Sequence, residues 1–283
     1  MPQGLNKVKR RILTVENTKK ITNAMKLISS VKVRQIQNGF NARLTFLNDL
    51  KEVLNIIGNA SYATSTNPLL KGYKDTSKTL YIVVSSSLGL CGSYNYNVIR
   101  YFENIYKSGD EVITIGDKID KEVLKDQNIT LYSNFKDVLN NLTMSNCRVL
   151  QKFILDKFYS GNYKDVVLVY TKYINQIASK VETLKLLPLE FKKIKSMELD
   201  SPDFGQNLNF LLDKFTKKYL TSAVYIKFYE SILSEQSSRR NAMDNADKNA
   251  EELVDKLKIE YNKARQTAIT QEITEVVSGS VNK

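Results

Sequence analysis

Two stretches, one at each end of the chain, carry apolar residues at the spacing of a helix face. The first runs through Leu5, Val8, Ile12, Val15, Ile21, Met25, Ile28, Val31, Ile36, Phe40, Leu44, Leu47, Leu50, Leu54 and Ile57, mostly three or four residues apart. The second runs through Leu208, Leu211, Phe215, Tyr219, Ala223, Ile226, Tyr229 and Leu233, then Met243, Ala246, Ala250, Leu253, Leu257, Ala264, Ala268 and Ile273. Between Leu233 and Met243 it is interrupted by Gln236 and Arg239-Arg240, where the seam turns polar. No proline falls between residues 3 and 67 or after 202, and no glycine between 206 and 278. Proline costs about 3 kcal/mol inside a helix, so its absence permits very long ones. Gly39 reads as a weak point in the first stretch rather than a stop.

At 1.5 Å per residue, residues 206–278 would extend about 110 Å and residues 4–57 about 80 Å. Helices of that length cannot bury themselves inside a 32.4 kDa ball. They are expected to wrap around each other as a coiled coil, and antiparallel pairing is the simplest topology for the two ends of one chain.

Between the ends the period changes. Lys78–Ser85, Glu111–Gly116 and Asp165–Tyr170 are compact β-branched runs that read as buried strands. Helical patterns separate them at Asn95–Lys107, Lys118–Gln127 and Asn141–Tyr159, and the segment from Asp165 to Leu189 has the character of an edge hairpin. Alternating strands and helices predict a mainly parallel α/β sheet. The expected fold is therefore α/β plus long helices. An antiparallel two-helix coiled coil from both termini (1–58 and 206–283) holds an inserted α/β domain (77–205).

Composition narrows the chemistry. With 42% hydrophobic residues the chain can bury a core. It has no histidine, which excludes histidine triads, histidine-ligated metals and imidazole proton shuttles. Cys91 and Cys147 are too few for a disulfide framework and fit no zinc spacing. Apolar runs fall far short of the roughly 20 residues that span a bilayer, and Met1-Pro2-Gln3-Gly4 lacks an apolar signal region. The expectation is a protein of a reducing compartment that does not span a membrane.

The net charge of +12 is unevenly spread. Residues 1–58 hold eleven basic and three acidic residues, and Glu16 is the only acid through residue 34. Of Lys7, Lys9, Arg10, Arg11, Lys19, Lys20, Lys26, Lys32 and Arg34, all but Lys20 (four residues after Glu16) thus lack i,i+4 acidic partners in their own helix. An acidic protein surface, nucleic acid or an anionic membrane would each suit such a block. No aromatic occurs in the first 39 residues for base stacking, which argues against nucleic acid.

The most enzyme-like feature is Ser85-Ser86-Ser87-Leu88-Gly89-Leu90-Cys91-Gly92-Ser93, a Ser/Gly loop between a strand and a helix. Such a loop could cradle phosphate, but it matches neither nucleotide-binding fingerprint and no lysine follows its glycines. A tight structural turn is the favoured reading. Cys91 could be a nucleophile but has no histidine to act as base. Asp117, Asp120 and Glu122 look more like the solvated start of a helix than a metal site. No catalytic, cofactor-binding or metal-binding constellation emerges.

Several segments are specific enough to carry a resemblance. Ile21-Thr22-Asn23-Ala24-Met25-Lys26 resembles the opening helix of the gamma subunit of the rotary F-type ATP synthase. Ser234-Glu235-Gln236-Ser237-Ser238-Arg239-Arg240-Asn241-Ala242-Met243 resembles a second family segment. Tyr261–Gln266 followed by Ile269–Glu275 resembles its C-terminal signature, and Gly89-Leu90-Cys91-Gly92 and Leu186-Leu187-Pro188-Leu189 match its middle domain. These occur in family order along essentially the whole chain. Two positions depart: Ser87-Leu88 stands where the family usually has Asp-Arg, and Gly279 is followed by Ser280 rather than alanine.

The resemblance implies a Rossmann-like middle domain and a non-catalytic central stalk. Its rotation would couple to ATP synthesis or hydrolysis in a hexamer of alpha and beta subunits, with the catalytic sites on the beta subunits. It implies that Met25 and Lys26 face the acidic beta lever and that Arg239, Gln266, Thr270 and Glu272 meet the hexamer's catch loops. The foot would meet the epsilon subunit and the membrane rotor ring, peripherally on the cytoplasmic face of a bacterial membrane. A paralogous rotary motor not coupled to proton translocation is the nearest alternative. A nucleotide-binding enzyme and a basic coiled-coil nucleic-acid binder rank lower.

Overall fold

The computed structural model describes residues 3–62, 66–74, 76–123, 129–191 and 208–281. In chain order it has α1 (Gln3–Gln37), α2 (Phe40–Tyr62), the short α3 (Pro68–Lys71), β1 (Thr79–Val84), α4 (Tyr94–Ile105), β2 (Glu111–Ile115), α5 (Asp117–Val123) and β3 (Thr130–Tyr132). A 3-10 turn (Lys136–Leu139), α6 (Met144–Tyr159), β4 (Asp165–Tyr173), β5 (Ser179–Leu187) and α7 (Leu208–Val281) complete it. The chain divides into two compact units: Met1–Val31 with Arg239–Lys283, and Lys32–Ser238. The expected boundary between residues 205 and 206 lies outside the described residues.

The second unit contains a five-stranded sheet in the order β3-β2-β1-β4-β5. The first four strands are parallel and β5 pairs antiparallel with β4 as the edge hairpin. Along β1, Leu80, Ile82 and Val84 join the core on one face, with α6 and parts of α2 and α7, while Tyr81 and Val83 join Val98, Phe102 and Ile119 on the other. A strand covered on both faces has no solvated side, so its sequence is continuously apolar rather than alternating. Strand order reverses between β1 and β4, leaving a crevice at the carboxyl end of β1.

One expectation needed correction here. Gly39 does stop the first helix: Asn38 and Gly39 form a turn with Gly39 at φ +78, a conformation costly for any residue with a Cβ, and α2 begins at Phe40. The pattern predicted over Lys118–Gln127 forms a helix through Val123, and its remainder lies outside the described residues. The three-residue β3 and the 3-10 turn had no signal in the sequence pattern.

In the unit of paired termini, Lys26 Nζ lies 2.7 Å from Asp244 and Lys19 Nζ lies 3.1 Å from Glu251. Moving seven residues back along α1 moves seven forward along α7, so the helices are antiparallel. Continuing that register to Gln3 reaches Thr267, and Ala268 is the last buried residue on α7 among those whose burial is described. The seam follows a seven-residue repeat. On α7, Met243, Ala250, Leu257 and Ala264 alternate with Asp247, Val254, Tyr261 and Ala268, all buried or half-buried. On α1 the corresponding series are Leu5, Ile12, Lys19 and Lys26, and Val8, Val15, Thr22 and Ser29.

This corrects the apolar stripe. Ile21, Ile28 and Val31 are 62%, 57% and 56% exposed, whereas Thr22 and Ser29 are buried. From Lys19 onward the α1 seam is small and polar, and the nearest apolar residues sit one position off it. Ile273, expected on the α7 stripe, is exposed as well.

Candidate partner-binding surface

The Ser/Gly loop after β1 is closed from within. Ser85 Oγ donates to the Ile115 carbonyl at 3.2 Å and accepts from the Ile119 amide at 3.1 Å, tying β1 to the β2–α5 junction. Gly116, at φ +86, lies so close that a Cβ there would collide with the Ser85 carbonyl oxygen. The Ser86 amide donates to Asn95 Oδ1 at 3.0 Å, and Asn95 Nδ2 lies 3.1 Å from Cys91 Sγ, so Cys91 is a buried member of a turn.

The crevice where such folds commonly hold a ligand is occupied by α7. Ser238 Oγ donates to the Cys91 carbonyl at 2.7 Å, and Ser234 Oγ donates to the Thr171 carbonyl at 3.2 Å. Ser231 Oγ accepts from the Thr171 amide, and Glu230 Oε1 accepts from the Tyr173 amide. Glu230 is 3% exposed and pairs with Lys227 at 2.8 Å. Burial disfavours the Lys227 charge, but the bond to Glu230 outweighs it and holds the ammonium above its ordinary range. The polar interruption of the α7 stripe is thus the seam that fastens this helix to the sheet. Asp117 pairs with Lys136 at 3.5 Å.

The six residues implied as partner contacts fall into three environments. Met25 is half-buried beside Lys26, whose ammonium is engaged by Asp244. That hydrogen bond raises the Lys26 pKa, while Lys26 and Lys248 together hold the Asp244 carboxyl at about 2. Two members of the basic block, Lys19 and Lys26, thus find carboxylate partners on α7 rather than on their own helix. Arg239 is 5% exposed. Gln266 is exposed opposite the first turn of α1, Thr270 and Glu272 are exposed on the stretch of α7 that runs past the end of α1, and residues 271–278 are all exposed.

The feature that sequence reasoning missed is the outward face of α1. Leu13, Ile21, Leu27, Ile28 and Val31 each expose more than half of their surface, and Ile259, Val276 and Val277 do the same on α7. Exposed apolar side chains this numerous on one pair of helices make this face a candidate partner surface. The available signal was an excess of apolar residues over what one seven-residue seam can use.

Across residues 4–281 the chain matches the family model described as ATP synthase. The ATP synthase gamma chain of Malacoplasma penetrans is 34% identical over 287 residues, covering 98% of both chains. That of Clostridium acetobutylicum is 33% identical, covering 98% of this chain and 97% of its own. The chain belongs to the ATP synthase gamma-chain family. Solved structures agree on the fold. A chain of the Euglena gracilis mitochondrial ATP synthase rotor superposes with a TM-score of 0.68 at 18% identity, over 94% of this chain and 99% of that one. The Tetrahymena thermophila central stalk/c-ring structure gives 0.60 at 22% identity, over 80% and 99%.

Proposed function

We propose that the chain is the central-stalk subunit of an ATP synthase, coupling rotation to ATP synthesis or hydrolysis in a hexamer of alpha and beta subunits. The observation that carries this is the apolar outward face of the paired termini, in a chain whose whole length matches gamma chains. A shaft presenting different side chains in different directions offers each surrounding site different contacts, and only differential contacts shift a conformational equilibrium. The catalytic sites lie on other subunits. Residues 1–58 and 206–283 form the shaft and residues 77–205 the foot, which meets the epsilon subunit and the rotor ring at the cytoplasmic face of a bacterial membrane. No helix among the described residues is long and apolar enough to cross one.

Met25, Gln266, Thr270 and Glu272 are the proposed direct contacts. Lys26 and Arg239 contribute by switching partners or by shaping the shaft, since one is ion-paired and the other buried in the chain itself. Native purification of the tagged chain should bring down alpha and beta subunits, and Leu27→Ser with Ile28→Ser should sharply reduce that recovery. Recovery of the chain alone, or ATP turnover by the pure monodisperse chain, would contradict the assignment.

A further inference from the structure

In the unit Lys32–Ser238, α2, α6 and α7 border two adjoining hollows of roughly 450 and 280 Å³ that share Phe46, Met144 and Ser222. Phe46 and Met144 are 44% and 40% exposed, though both belong to helices packed on the core. Ser222 is 2% exposed, and its hydroxyl has no hydrogen-bond partner among the described residues. The rim is basic. Arg43, whose guanidinium stacks 4.8 Å over the Tyr229 ring, has a buried Nη1 without an acceptor. Arg148, Lys217 and Lys218 line the larger hollow. Asp213 takes up Lys217 at 2.7 Å, and no described carboxylate pairs with Arg43, Arg148 or Lys218.

These features are deficits that one kind of occupant corrects together. Apolar side chains would cover Phe46 and Met144, carboxylates would meet the rim, and a polar group would satisfy Ser222. Two hollows side by side between helices suit apolar residues one turn apart on a single helix. An acyl chain would place its methylenes against an orphan hydroxyl and a guanidinium, and a nucleotide phosphate would find no glycine-rich backbone cradle. We propose that this groove is the docking site for an acidic amphipathic helix of another subunit in the assembled enzyme. The inference rests on reading the chain as a subunit of a larger complex.

The test uses the full chain and a fluorescent synthetic helical peptide with leucines one turn apart flanked by glutamates, beside its counterpart with lysine for every glutamate. The glutamate peptide should bind at least about tenfold tighter. Arg148→Glu with Lys218→Glu should weaken it about tenfold or more, as should Phe46→Ser, while Lys118→Glu on α5 leaves it unchanged. Circular dichroism checks that each variant is folded, and Arg148→Ala with a salt titration probes the same rim without charge reversal. Equal binding of the two peptides, indifference to rim and floor variants, or preference for phosphatidylglycerol vesicles overturns the proposal. In the assembled complex, a photo-crosslinker replacing Phe46 should capture a carboxylate-rich helix, and capture of lipid or of a basic segment would again overturn it. Failure to co-purify with the hexamer would defeat the central-stalk reading instead, because peptide binding is measured on the chain alone.

Discussion

Leu80, Ile82, Leu150, Ile154 and Phe158, in the unit Lys32–Ser238, are each 0% exposed. In the unit of paired termini, the buried residues include Leu5, Thr22, Ser29, Ala250, Val254 and Ala268, several of them small or polar. There Leu13, Ile21, Leu27, Ile28 and Val31 stay on the outside. One unit spends its apolar surface on its own core. The other leaves much of it exposed and is held by a narrow seam reinforced by exposed ion pairs. Under the proposed central-stalk role, stability and partner recognition are carried by different residues, and substitutions should separate them.

The largest expected effect is Phe158→Ala in the sheet-bearing core, which should cost about 4 kcal/mol by denaturant unfolding. Leu27→Ala should change the same measurement by less than about 0.5 kcal/mol, because that side chain is already in water. Comparable losses at both positions would erase the contrast. Next is Lys227→Met, which strands the buried Glu230 carboxylate and should cost about 3 kcal/mol. Adding Glu230→Leu should recover part of that loss, and no recovery would mean packing rather than charge decides the site.

Ser234→Ala, which removes one hydrogen bond from the α7 seam, should cost about 1 kcal/mol in a thermal melt. A neutral result would leave the serine row without a fastening role. The smallest effect concerns the Lys26–Asp244 pair. The Asp244 carboxyl is depressed to about 2, so the pair's contribution is present above the ordinary aspartate range near 4 and disappears as pH falls towards 2. Asp244→Asn should flatten that part of the helicity-versus-pH curve. An unchanged curve would show the pair to be inert, as many exposed pairs are.

The sequence by itself determined the helices at both ends, the parallel strands β1, β2 and β4, the β5 hairpin and the family. Each depends on a repeat or motif that local spacing already contains. The run Leu80–Val84 needs burial on both faces wherever it is placed, and the absence of proline frees α7 to run unbroken. Which face of α1 turns inward was decided only by tertiary structure. The seven-residue register set by α7 selects Thr22 and Ser29 over Ile21 and Ile28, because a seam follows its partner's geometry rather than the most apolar side chains. The same holds for the polar interruption at Ser234–Ser238. In sequence it is a defect in a stripe, and it acquires meaning when β4 and the turn after β1 bring backbone groups within reach. Hydrogen-bond partners far apart in the chain leave no local periodicity. Lys26 and Asp244, Ser238 and Cys91, and the basic groove around Ser222 became legible only once the chain was folded.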